Sequence, residues 1–166
     1  MEILGRFDGH NGQITVAQER KTGARLYVEE GVKQSYVLPG GSAGLDYVRL
    51  MARVLEGALD IILFGCGGGA LASELHNRGC RVTVVDDNPI SFEIARRYFW
   101  MPSSIHCVAD GMAEFLARSG QAKNSTLWLV AQAVSEILTD GEKEKQLMQG
   151  LLNQREKLEQ EQGTLF

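Results

Sequence analysis

Three glycines in alternate positions, Gly65-x-Gly67-x-Gly69, stand between the apolar run Ile61-Ile62-Leu63-Phe64 and a helix-forming stretch from Ala70. A strand-to-helix bend this sharp needs φ values closed to other residues. It also lets the backbone approach a ligand with no Cβ in the way. The same glycines would equally serve a tight turn with no ligand. Asp86 ends the next strand-like run, 21 residues after Gly65. An acid ~20 residues beyond such a turn is placed to accept hydrogen bonds from both hydroxyls of a ribose. Neighbouring Asp87 could take that part instead, since strand alternation turns only one of the two to a pocket. The third glycine arrives one position early for a dinucleotide fingerprint, which favours an adenosine without phosphates over a pyrophosphate. Asp110, in Val108-Ala109-Asp110-Gly111, follows a third strand-like run, at the edge where ligands gather in open α/β sheets. Its carboxylate can accept from an exocyclic adenine amine or cap the helix that begins at Gly111, and the two roles are compatible.

Other chemistries find little support. Cys66, Cys80 and Cys107 form no CxxC pair and sit in or beside apolar runs. They read as buried, reduced thiols of a cytoplasmic protein. His10, His76 and His106 lack the i, i+4 spacing of a helical zinc site, so no metal is expected. The net charge of −4, from 17 Lys and Arg against 21 Asp and Glu, argues against a nucleic-acid partner. No stretch reaches the ~18 apolar residues of a membrane span. Glu2, Arg6 and Asp8 leave no apolar stretch for a signal peptide.

The elements that must position these residues fall into two patterns. Residues 13–18 (QITVAQ), 24–28 (ARLYV) and 32–38 (VKQSYVL) are short β-prone runs separated by the turn signals Lys21-Thr22-Gly23 and Glu29-Glu30-Gly31. They predict an antiparallel meander over residues 1–38. Pro39 to Gly44 is the clearest break, and a helix is predicted over 45–56, with Val48, Met51, Ala52 and Leu55 near one face and Gly57 closing it. Residues 39–59 are thus linker and helix. From Asp60 the pattern alternates, with strands over 61–64, 81–85, 105–108 and 127–130 and helices over 70–77, 90–98 and 111–118. This predicts a parallel, doubly wound sheet with right-handed crossovers over residues 60–132. Residues 133–166 read as a charged helical tail, carrying Leu147, Leu151 and Leu152 in a partly helical apolar stripe.

At the residues that carry this chemistry the sequence resembles the spermidine synthase family, the polyamine aminopropyltransferases. The matching text is 62–69 (ILFGCGGG), 84–89 (VVDDNP), 92–99 (FEIARRYF) and 109–111 (ADG). Upstream, 26–35 (LYVEEGVKQS) is similar to the family's strand, turn and glutamine, and Tyr47 stands where the family has a tyrosine. The resemblance implies a small β meander followed by a truncated Rossmann-like, class I methyltransferase-type parallel sheet. It implies aminopropyl transfer from decarboxylated S-adenosylmethionine to a polyamine such as putrescine, leaving methylthioadenosine. In that setting Gly65, Gly67 and Gly69 form the nucleoside turn, Asp86 holds the ribose, Asp110 holds the adenine amine, and Gln34 and Tyr47 line the substrate end. A sulfonium cation and a diamine both favour an acidic cleft.

Two departures bear on activity. The family carries an aspartate inside its glycine turn where this chain has Gly68. Its fourth strand leads into an acidic motif that helps deprotonate the attacking amine, and here Ala131 and Gln132 stand in its place. Neither side chain titrates, so neither can act as a general base, and no catalytic residue is assigned. The expectation is impaired or absent aminopropyl transfer. The alternatives are a non-catalytic nucleoside-binding or scaffold protein acting through a partner, and a small-molecule methyltransferase using S-adenosylmethionine. The family also has further strands after the fourth. A sheet ordered 3-2-1-4 leaves strand four as an apolar edge, so a homo-oligomer is expected, with the meander or the strand-four side at the interface.

Overall fold

The computed structural model describes residues 1–55 and 58–119, and the backbone of 127–130. Strands β1 (Glu2–Gly9), β2 (Gly12–Gln18), β3 (Arg25–Glu29) and β4 (Val32–Val37) pair in chain order as one antiparallel sheet. The sequence pattern predicts three strands here, and β1 is the fourth. Its register with β2 shifts between Ile3 and Gly5, and this irregularity breaks the alternation that would mark a strand. Strand β3 also runs one residue beyond its predicted end, so Glu29 belongs to the strand and not to the turn.

Helix α1 (Asp46–Val54) follows the turn region and buries Val48, Met51 and Ala52, with Leu55 just beyond it. The three- and four-residue spacing of these side chains sets them on one face, as predicted. The predicted closure at Gly57 lies outside the described residues. The second sheet alternates with helices: β5 (Asp60–Phe64), α2 (Ala70–Asn77), β6 (Arg81–Asp86), α3 (Ile90–Tyr98), β7 (His106–Ala109), α4 (Met112–Ser119) and β8 (Leu127–Val130). Its strand order is β7-β6-β5-β8, all parallel. This is the expected 3-2-1-4 arrangement, and its carboxyl edge gathers the turn after β5, the end of β6 and the end of β7. The predicted tail over 133–166 lies outside the described residues, as do Ala131 and Gln132.

Strand periodicity divides the core in two. Ile61, Leu63, Val82 and Val84 share one face and join a cluster that includes Ile14, Val16, Tyr27, Met51, Leu75, Ile94 and Phe99. Ile62, Phe64 and Val85 point the other way, toward Val108, Phe115 and Leu116. Phe115 of α4 meets Phe64 edge-on at 6.0 Å between ring centroids. Both faces of β5 are therefore covered, which is why its sequence is a continuous apolar run. The larger cluster crosses from the antiparallel sheet to the parallel one, so both sheets contribute to one interior.

Polar ties reinforce that contact. Arg25 of β3 donates from Nη1 to the carbonyl of Tyr98 at 2.5 Å, and its guanidinium lies 4.2 Å from the centroid of the Trp100 ring. The Tyr27 hydroxyl and Ser91 Oγ are 3.2 Å apart in the interior. Among the described residues the cysteines are free thiols, with Cys80 buried and Cys66 and Cys107 half-buried. Also among the described residues, no helix is long and apolar enough to cross a membrane, and no three His, Cys, Asp or Glu side chains converge as metal ligands.

Candidate functional site

The glycine turn adopts the backbone that its composition predicts. Gly65, Gly67 and Gly69 have φ of +93°, +50° and +69°. These left-handed values cost an L side chain ~1–2 kcal/mol each, which accounts for the alternate glycines. Gly65 N donates to the Val85 carbonyl at 2.8 Å, and Gly69 N to the Cys66 carbonyl at 2.8 Å. The buried Gly68 N donates to Ser35 Oγ of β4 at 2.9 Å. A Cβ on Gly68 would lie 2.9 Å from Ser35 Cβ, so the antiparallel sheet presses directly on the turn. Three backbone donors of the turn, those of Gly65, Gly68 and Gly69, are thus committed to the protein itself.

Asp86 closes the turn from the other side. Its Oδ2 accepts from Cys66 N at 2.6 Å and its Oδ1 from Asn88 N at 2.8 Å. Each carboxylate oxygen keeps a further lone pair for a ligand donor. Burial raises the Asp86 carboxyl above the usual range. The backbone donors of Asn88 and Cys66 oppose that rise, and the charge of Asp87 adds to it. Asp87 itself is exposed and stands outside the cleft described next.

A cleft of about 90 Å³ opens between β3, β4 and α1 on one side and the glycine turn and the end of β6 on the other. A single water needs ~10–15 Å³ on this scale, so the volume is beyond an ordinary packing gap. Gly65, Gly67, Asp86, Gln34 and Tyr47 line it together. Gly69 lies behind the turn, where an added Cβ would meet Met101 Sδ at 2.6 Å. Asp110 is not among the lining residues. Its carboxylate pairs with Arg118 of α4, and its backbone N donates to the Asp86 carbonyl at 3.1 Å.

The cleft also holds residues that sequence reasoning passed over, chiefly Tyr27, Glu29, Asn88 and Ser91. Glu29 reads as a turn residue in Glu29-Glu30-Gly31. Extending the alternation of β3 by one step would have placed it on the same face as Tyr27. Glu29 Oε1 is buried without a hydrogen-bond partner, and so is Asn88 Nδ2, on a residue only 5% exposed. Burial raises the Glu29 carboxyl, and the charges of Asp86, Asp87 and Glu30 raise it further. Burial also pushes the Tyr27 hydroxyl and the Cys66 thiol up, which disfavours the thiolate form of Cys66 at the turn. Among the described residues the lining carries two carboxylates, Glu29 and Asp86, and no Lys, Arg or His. An anion would meet repulsion there, while a neutral nucleoside or a cation would not.

No protein-family model matches the chain. The Ubiquinone biosynthesis O-methyltransferase of Methylocella silvestris is 36% identical over 95 residues, covering 57% of this chain. The match spans 36% of that relative's own length. Among solved structures, a probable spermidine synthase from Corynebacterium glutamicum superposes with a TM-score of 0.61 at 22% identity, over 72% of this chain and 48% of that one. The spermidine synthase from Thermotoga maritima gives a TM-score of 0.61 at 14% identity, over 78% of this chain and 47% of that one. The antiparallel sheet, the glycine turn and the parallel β7-β6-β5-β8 order therefore form a spermidine-synthase-like α/β fold of the Rossmann-like, methyltransferase type, over about half the length of those two structures.

Proposed function

We propose that the cleft binds an S-adenosyl-type nucleoside sulfonium and that the chain is a spermidine-synthase-like protein, impaired or inactive in aminopropyl transfer. The observation that carries this reading is the pairing of Asp86 with the glycine turn across a cleft that has two carboxylates and no cationic side chain. Asp86 keeps free lone pairs for the ribose hydroxyls, and Gln34 and Tyr47 line the same cleft. Asp110, paired with Arg118 and outside the cleft lining, is given no part in this reading. In the full reaction, an amine lone pair attacks the methylene beside the sulfonium of decarboxylated S-adenosylmethionine. The carbon–sulfur bond breaks with its electrons going to sulfur, methylthioadenosine leaves, and the amine nitrogen sheds a proton. That proton needs an acceptor, and the sequence has Ala131 and Gln132 where the family resemblance puts its acids.

Calorimetry with S-adenosylmethionine, its decarboxylated form and methylthioadenosine tests the reading. Binding of at least one is expected, with little or no turnover of putrescine. Failure to bind any of the three defeats it. A second reading, methyl transfer from intact S-adenosylmethionine, is favoured by the O-methyltransferase relative. An acceptor that is already nucleophilic needs no fixed base, and radiolabelled methyl incorporation separates this from the first reading. We further propose that the protein works as a homo-oligomer.

A further inference from the structure

Strand β4 does not alternate where it meets the glycine turn. Its register with β3 slips between Tyr27, which pairs with Ser35, and Val28, which pairs with Lys33. Gln34 is therefore the extra residue of a β-bulge, a device that re-aims side chains. Successive residues of a regular strand face opposite sides, yet Gln34 and Ser35 both line the cleft. Both also press on Gly67, where an added Cβ would lie 3.1 Å from Ser35 Oγ and 3.7 Å from Gln34 Cβ. Ser35 is buried, and a buried hydroxyl is costly unless it is bonded. Its Oγ accepts from Gly68 N.

This bond bears on the donors of the turn. Among the described residues, the N–H groups of Gly65, Cys66, Gly68 and Gly69 all have protein acceptors. That of Gly67 has none, and Gly67 is half-buried and lines the cleft. Gly67 joins two peptide planes. One is held through the Cys66 carbonyl, which accepts from Gly69 N, and the other through Gly68 N, which Ser35 holds. A glycine between them rotates freely once either hold is lost. We propose that Ser35, delivered by the β4 bulge, is a positioning residue for the nucleoside: it locks the Gly67–Gly68 peptide so that the Gly67 N–H is presented to an oxygen or nitrogen acceptor of the ligand. The antiparallel sheet thereby sets the affinity of a turn that belongs to the parallel one. The role rests on the nucleoside reading of the cleft.

The test uses the full chain, Ser35→Ala and, as a destabilised control away from the turn, Ile105→Val at a buried position before β7. Hydrogen exchange followed residue by residue by NMR, without ligand, is expected to quicken about tenfold at Gly68 in Ser35→Ala and to keep the wild-type rate at Gly65. Calorimetry uses methylthioadenosine, S-adenosylmethionine and its decarboxylated form. Whichever of these the wild type binds is expected to bind folded Ser35→Ala about tenfold more weakly and Ile105→Val unchanged. The same nucleoside is expected to shift the Gly67 amide resonance of the wild type. Wild-type affinity in Ser35→Ala overturns the positioning role, whatever the variant's stability. Equal weakening in Ile105→Val overturns it too, because the loss then follows stability alone. A Gly67 amide that the bound nucleoside leaves unmoved overturns it without recourse to any variant. A wild type that binds none of the three defeats the nucleoside reading and the positioning role together.

Discussion

Asp86 carries two loads that a single substitution confuses. Its carboxylate receives the backbone N–H groups of Cys66 and Asn88, and it faces the cleft. Asp86→Ala strips acceptors from two partly buried donors at once, and each orphaned donor costs about 1–3 kcal/mol. Asp86→Asn retains one carbonyl oxygen and so orphans only one. Urea unfolding is therefore expected to rank wild type above Asp86→Asn and Asp86→Ala lowest. Nucleoside affinity, measured by calorimetry on the folded fraction, falls in both, because either change removes an oxygen available to the ribose. A variant that loses stability in this order but binds methylthioadenosine as wild type would mark Asp86 as purely structural.

At the scale of elements, the turn between β5 and α2 is shaped from outside as well as by its own glycines. The buried Ser35 hydroxyl on β4 accepts from Gly68 N, so one sheet completes the other's turn. Ser35→Ala leaves that donor unsatisfied and is expected to cost about 1–3 kcal/mol in denaturant unfolding. Its distance from Asp86 in the chain means the loss would appear without any change in the residues of the turn itself. A Ser35→Ala protein as stable as wild type would show that water replaces the hydroxyl. This contact also explains what the sequence discloses and what it hides. The glycine spacing, Asp86 at a strand end and the apolar β5 run are local patterns, and each is legible because backbone sterics and two-sided burial restrict composition there. Gln34 and Tyr47 come from matching text, and both line the cleft. Strand β1 is obscured by its irregular register, and Glu29 by a turn-like neighbourhood. Asn88 and Ser91 carry no local signal, since their place in the cleft depends on how β3 packs across α3. The pairing of Asp110 with Arg118 likewise joins two elements through a helix that no strand pattern describes.

At the scale of the whole molecule, the two sheets enclose one interior, and the charges around it set how stability follows pH. The proposed homo-oligomer bears on how that is measured. The bulged β1 edge, with Glu2, Arg6 and Asp8, is poorly suited to pairing, which favours the β8 side as the contact. Light scattering at micromolar concentration is expected to give a mass above one chain, and a strictly monomeric mass would rule the assembly out. Within each chain, Glu29 and Asp86 have carboxyls raised by burial, each rise enlarged by neighbouring acids. A raised native pKa means that the folded state prefers the protonated form. The stability it contributes is complete below the ordinary carboxylate range and is lost as pH climbs through the raised native value. Glu19, held down by Thr22 and Tyr36, and Asp60, held down by Arg81, act in the opposite sense, with stability lost as pH falls through their lowered values. Glu19 is half-buried and Asp60 exposed, so solvent and salt weaken the Asp60 pair most. Glu29→Gln removes one of the two buried contributions and leaves the exposed pairs intact. Denaturant unfolding between about pH 4 and 7 is therefore expected to fall less steeply with rising pH in Glu29→Gln than in wild type. The variant gains stability near neutrality. A Glu29→Gln protein less stable than wild type at neutral pH would contradict a burial-raised carboxyl at this position.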